Sequence, residues 1–173
     1  MKFRDHLSAL MLPFGALILI PAALLSVSQD TTMGGEVPYL INIIILLFGV
    51  SILLVGFALM VLTIKMFYQI GKGTLAPWAP TQRIVMNGIY LRTRNPMISG
   101  VILIIVGEGV LFSSWLILLW SFVFFIVNHF YFIFSEEPGL QKRFGEDYLR
   151  YKKNVPRWIP QRNPWNPNHK AGE

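Results

Sequence analysis

Two apolar runs, Met97 to Phe112 and Trp115 to Phe134, are joined only by Ser113-Ser114. As helices the runs measure about 24 Å and about 30 Å, and the hydrocarbon core of a bilayer is about 30 Å thick. So short a joint leaves them one arrangement, an antiparallel helical hairpin. A hairpin returns to the side it left. Arg94-Asn95-Pro96 stands at its entrance and Glu136-Glu137 at its exit. A cation and a pair of carboxylates far apart in sequence are therefore expected at one membrane surface.

The rest of the chain is consistent with this. It is 54% hydrophobic and only 14% charged, with a mean hydropathy of +0.52, where soluble domains carry about 25% charged residues. Leu7 to Val27 is a first apolar segment. It reads as a retained span, because a cleavable signal has a shorter core and membrane helices tolerate residues such as Pro13 and Pro21. Tyr39 to Phe67 is longer than a bilayer core and is expected to tilt or project, with Lys65 at its wet end. Gly49, Gly56 and Ala58 offer places for close helix approach. The stretch Gly71 to Arg94, punctuated by Gly71, Gly73, Pro77, Pro80 and Gly88, reads as loop with a short interfacial turn. Trp78 and Tyr90 within it suit a membrane interface. After the hairpin, Leu140, Phe144, Tyr148 and Tyr151 recur at helical spacing among charges, which predicts an amphipathic helix lying on the membrane and ended by Pro156 and Pro160. The expected fold class is all-α: one polytopic membrane domain over 1–173, with spans at about 7–27, 39–67, 97–112 and 115–134. Polar regions at about 70–96 and 135–160 then share one face.

Charge sets the orientation. Lys2 and Arg4 precede the first span, and the connection 28–38 carries Asp30 and Glu36 but no Lys or Arg. Lys72, Arg83, Arg92 and Arg94 lie in the next connection, the serine turn has no charge, and eight Lys or Arg follow the last span. All fall on one side of a four-span arrangement. That side is cytoplasmic by the positive-inside rule, giving a multi-pass protein with both termini inside. The basic tail is expected to meet anionic membrane lipids; it lacks any nucleic-acid docking motif. The chain has no cysteine, and no metal-ligand spacing, phosphate loop or serine triad.

Adjacent carboxylates at Glu136 and Glu137 are costly to bury without cations, and Arg94 is the nearest cation by topology. One reading is a helix-end charge cluster that seals the hairpin. The other is a ligand site, with the carboxylates accepting hydrogen bonds from hydroxyls or an ammonium of a polar cofactor while Arg94 holds a carboxylate in its fork. Folding the hairpin about its serines brings His129, with Asn128 beside it, level with about position 98, near Asn95 and Pro96. An apolar run containing His marks a functional candidate, unless that His is simply hydrogen-bonded to a neighbour. Glu108, flanked by Gly107 and Gly109, is a second intramembrane charge, expected to be protonated or paired and to serve packing or a substrate cavity.

These residues also carry a family resemblance. The run Asn87-Gly-Ile-Tyr-Leu-Arg-Thr-Arg-Asn-Pro-Met-Ile-Ser-Gly100 resembles the G-P-Y-x-x-x-R-H-P-M-Y-x-G stretch of the isoprenylcysteine carboxyl methyltransferase and phospholipid methyltransferase superfamily. Glu136-Glu137, Leu140, Phe144-Gly145, Tyr148, Tyr151 and Val155-Pro-Arg-Trp-Ile-Pro160 are similar to that family's closing block. The resemblance covers about 70–160. It implies an integral membrane methyltransferase that uses S-adenosylmethionine and releases S-adenosylhomocysteine. By position it implies cofactor contacts at Gly88, Tyr90, Arg94, Asn95, Pro96, Glu136 and Glu137, with Tyr148 and Tyr151 supporting them, and a lipophilic substrate arriving from the lipid. Arg94, Asn95 and Glu137 become the candidate catalytic residues, joined by His129 from the hairpin argument. Two positions depart from the motif: its histidine is Asn95 and its tyrosine is Ile98. Asn95 hydrogen-bonds but cannot titrate, and His129 is the group able to compensate. The closing block looks most like the carboxyl methyltransferase branch, which implies a prenylcysteine-type acceptor. A phospholipid headgroup amine is the alternative acceptor, and a family member that binds without catalysis is the alternative role.

Overall fold

The computed structural model describes residues 14–27, 38–71 and 83–167. Within them the fold is helical and contains no β-strand. Helix α1 is Ile20–Val27, entered through a wide π-turn over Gly15–Leu19. Pro21 lacks the N–H for a normal turn and crowds the carbonyl behind it; the wider turn just before it relieves both. Of the first expected span, residues 7–13 lie outside the described residues, as do Lys72, Trp78 and the chain's first and last positive charges.

Helix α2 runs Tyr39–Met66 and widens into a π-turn at Phe67–Gly71. Helix α3 is Pro96–Leu111, started by Pro96, whose missing N–H costs nothing at a first helical position. Helix α4 is Trp115–Tyr131; a π-turn at Phe132–Glu136 leads it without a break into α5, Glu137–Asn154. Both hairpin runs therefore begin or end within a few residues of the sequence expectation. Ser113 takes a positive φ of 46° to reverse the chain, and Ser114 begins the returning helix. The helices Tyr39–Gly71 and Trp115–Asn154 are long and apolar enough to cross a membrane; Gly15–Val27 and Pro96–Leu111 are shorter apolar helices. Large apolar side chains of α2 and α4 stand in the open, among them Ile44, Leu47, Phe48, Leu54, Phe122 and Val127. A water-facing surface does not concentrate such groups.

Packing in lipid gains little from the hydrophobic effect between helices, so contact geometry decides. Here α2 and α3 meet along glycines. A Cβ on Gly56 would lie 2.8 Å from the Gly100 carbonyl oxygen, and one on Gly107 would lie 2.8 Å from the Leu53 amide nitrogen. Gly49 meets Leu111 in the same row. Gly49 and Gly56 thus make the close approach expected of them. Ala58 does not: it faces outward. Val101, Ile105 and Ile117 form the core of the hairpin, covered by Leu17, Leu24 and Leu25 and by Trp120. The Trp120 indole donates to the Ala16 carbonyl at 3.1 Å, tying the first helix to α4.

The helix after the hairpin departs from expectation in two ways. Gly145 sits within it at φ 53°, ψ −129°, so α5 is two helical pieces, 137–144 and 146–154. Its apolar residues also pack on the chain itself. Tyr148, Tyr151 and Val155 are buried and pack with Ile84, Met86, Leu140, Phe144 and Trp165 of the chain itself.

A candidate active site at the hairpin mouth

Four short pieces converge beside the hairpin entrance. The turn Gly88–Leu91 carries Tyr90, the Asn87 side chain accepts from the Gly88 amide to start it, and Gly88 supplies the positive φ of 54° that it needs. Arg94 and Asn95 follow at the N-terminus of α3. Glu136 and Glu137 come from the end of the π-turn and the start of α5, and Tyr148 and Tyr151 from its second piece. Between them lies a cavity of about 60 Å³, closed on its apolar side by Phe67, Ile84, Val85, Phe132 and Leu140.

A segment from the tail completes the wall. Pro156 and Arg157 offer carbonyls to the amides of Arg94 (2.9 Å) and Asn95 (3.3 Å), and the buried Thr93 hydroxyl reaches the carbonyls of Arg157 and Trp158, both at 3.1 Å. Further along, the Gln161 amide donates to the Arg92 carbonyl and the Trp165 amide to the Leu91 carbonyl, each at 2.9 Å. Arg92 in turn donates to the carbonyls of Gln161 and Arg162. Residues 155–165 thus form a strap laid over 91–95.

The two glutamates are not equivalent. Glu137, 5% exposed, takes three cations. Arg94 Nη1 and Arg157 Nε reach its Oε1 at 2.9 and 2.7 Å, and Lys152 Nζ reaches its Oε2 at 2.9 Å. Burial pushes its carboxyl up, but the hydrogen bonds from Arg157 and Lys152 and the charge of Arg94 outweigh that and hold it below the ordinary carboxylate range. Glu136 faces the cavity with no hydrogen bond or ion pair among the described residues. Burial pushes it up to about 7, Arg143 draws it down in part, and Glu137 adds to the rise.

On the same wall, Arg94 Nε is buried and has no acceptor among the described residues. The Arg94 Nη1 group also donates to the Tyr148 hydroxyl at 3.3 Å, and the Tyr151 hydroxyl donates to the Tyr90 carbonyl at 2.7 Å. Burial raises all three tyrosines, Tyr148 to about 12. They remain neutral at physiological pH.

Tyr90, Arg94, Asn95, Glu136, Glu137, Tyr148 and Tyr151 therefore share one cavity wall. Gly88 and Pro96 stand behind it, Gly88 against Met66 and Pro96 fully buried. His129 is not brought to the cavity. Its Nδ1 accepts from the Trp158 indole at 2.9 Å, and Asn128 is spent on the Phe124 carbonyl of its own helix. Glu108 lies within α3, with a buried Oε2 that has no partner among the described residues. Sequence reasoning missed Arg157 and Lys152 as partners of Glu137. The signal was available: a buried carboxylate pair calls for more positive charge than Arg94 alone supplies.

Residues 44–147 match the family described as phospholipid methyltransferase. The match takes in most of α2, the hairpin and the first piece of α5, and with them Arg94, Asn95, Glu136 and Glu137; Tyr148 and the strap lie beyond it. No curated protein matches the chain.

Proposed function

Because the chain belongs to the phospholipid methyltransferase family, we propose that it moves a methyl group from S-adenosylmethionine to a lipophilic acceptor at the cytoplasmic face of a membrane. One observation carries this reading: Arg94, whose buried Nε has no acceptor among the described residues, and Glu136, a carboxylate with no ion pair among them, line one cavity. Together they complement a zwitterionic amino-acid group, Arg94 taking its carboxylate and Glu136 its ammonium. A cavity of about 60 Å³ fits that end of the molecule. Sites for whole small ligands run to about 300–1,000 Å³, so the remainder extends through the open side of the cleft.

Bound there, S-adenosylmethionine supplies a methyl group on a sulfonium, activated toward any nearby nucleophile. The chain's own residues position and shield. Glu137 is fully engaged by its three cations and keeps Arg94 in place. Phe67, Phe132 and Leu140 keep water off the apolar side. Tyr90, Tyr148 and Tyr151, held neutral, act as hydrogen-bonding groups rather than bases.

The same wall bears on the choice of acceptor. A phospholipid headgroup amine must lose a proton before or during transfer. That proton leaves to solvent, since Glu136 is engaged with the cofactor's ammonium; ionised there, Glu136 repels an anionic acceptor, and the family match is to phospholipid methyltransferase. We therefore favour the headgroup amine. A prenylcysteine-type carboxylate, which needs no base, is the second reading; Asn95 in the motif histidine's place speaks for it.

The test is calorimetric binding of S-adenosylhomocysteine to detergent-purified protein, followed by transfer of labelled methyl groups to phosphatidylethanolamine vesicles or to a prenylated thiol acid. No binding at millimolar ligand rejects the function. Binding without transfer to either acceptor identifies a binding protein instead.

A further inference from the structure

Most bonds of the strap 155–165 reach only the loop 91–95 and Glu137. The Trp158 indole alone, among the strap's described hydrogen bonds, carries it onto α4. Its ring lies 4.9 Å from Phe125, 5.6 Å from Phe132 and 6.2 Å from His129 between centroids, and its N–H donates to His129 Nδ1. An indole nitrogen can only donate. Nδ1 therefore contributes its lone pair to Trp158, and the imidazole proton resides on Nε2. Neither ring nitrogen then has a lone pair left to take a proton from substrate.

We propose that His129 and Trp158 form a latch: His129 is a positioning residue that acts through Trp158, fixing the strap that holds Arg94, Asn95 and Glu137 at the cavity. This rests on the reading of the cavity as a cofactor site. The chain of contacts is continuous. His129 holds the Trp158 ring; the neighbouring Pro156 and Arg157 carbonyls hold the Arg94 and Asn95 amides; and the Arg157 side chain holds Glu137 at 2.7 Å. Freed at Trp158, the strap loses its anchor to the hairpin, and Arg94 and Asn95 lose a fixed backbone.

Trp158→Phe keeps a ring and removes the donor; His129→Ala removes the acceptor; His129→Gln retains an acceptor in the amide oxygen. Hydrogen exchange across 91–95 reads the strap directly, and titration with S-adenosylhomocysteine reads the cavity. Trp158→Phe and His129→Ala should each speed exchange at 91–95 and weaken binding by a similar factor, about five- to tenfold for one neutral hydrogen bond. The double variant should be no worse than either single one, and His129→Gln should stay near wild type. Unchanged exchange in α2 and α3 marks the variants as folded. A His129→Gln as weak as His129→Ala, beside an unaffected Trp158→Phe, overturns the latch, as does unchanged exchange at 91–95 in all variants. The expected exchange pattern in a protein that binds no S-adenosylhomocysteine would sustain the latch and sink the cofactor site instead.

Discussion

Glu136 and Glu137 are consecutive residues, yet Glu137 is bound by Arg94, Lys152 and Arg157, and Glu136 faces a cavity with no such partner among the described residues. The π-turn at Phe132–Glu136 ends between them, so the two side chains leave the helix toward different surroundings. One carboxylate secures the architecture while the other remains available to a ligand.

Glu137→Gln should destabilise the protein. It leaves the Arg94 and Arg157 side chains, 10% and 20% exposed, without their counter-charge. Removing one partner of a fully buried pair costs about 3–5 kcal/mol, and the partial exposure here reduces that to about 2 kcal/mol. Thermal unfolding in detergent should show a midpoint about 4–8 °C lower. Because the Glu137 carboxyl lies below the ordinary range, its contribution is fully present above that range and lost as pH falls below it, through the carboxyl's lowered folded-state value. The variant and wild type should converge in acid.

Glu136 has the opposite sign. Its ionised form attracts an ammonium, so S-adenosylhomocysteine should bind more tightly as pH rises through about 7. Glu136→Gln should bind weakly and show no such step. In the ligand-free protein the raised carboxyl keeps a proton that the unfolded chain has released. Stability should therefore decline as pH climbs from the ordinary carboxylate range to about 7, and the glutamine variant should lack this decline.

Gly56→Val should force α2 and α3 apart, because its Cβ would meet backbone atoms of Gly100 and Ile104, each at 2.8 Å. Neither can move aside without shifting a helix. Overpacking of this kind costs about 1–3 kcal/mol. A midpoint equal to wild type in the same melting assay would refute the glycine contact.

Two glycines of α5 should respond differently to alanine. Neither Gly139 nor Gly145 has an atom within 4 Å of a built Cβ, but Gly145 alone has a positive φ, 53°. Gly145→Ala should cost about 1–3 kcal/mol through backbone strain. Gly139→Ala should be neutral or slightly stabilising, by about 0.4–1 kcal/mol.

What the sequence disclosed, and what it hid, divides along a physical line. Apolar length announced α2 and the hairpin, since a helix in lipid must be apolar over its exposed faces. The Ser113-Ser114 joint fixed the return of the chain, and with it the meeting of Arg94 and Glu137. Family resemblance picked out Tyr90, Asn95 and Tyr148, which the structure gathers on one wall. The strap was not visible, because Arg157 to Glu137 and Trp158 to His129 are long-range pairings that no local period encodes. The same holds for the break at Gly145. A helical pattern of apolar residues persists through it, so the periodicity gave no warning of the backbone's departure.

The strap also bears on how the molecule is made. Residues 156–165 follow every described helix in the order of synthesis, so the hairpin can form and pack before the segment that finishes the cavity has been made. A nascent chain inserted in the membrane would carry Glu137 without Arg157 and Arg94 without its backbone acceptor at Pro156. On that order the cavity is finished only after the helices beside it have formed.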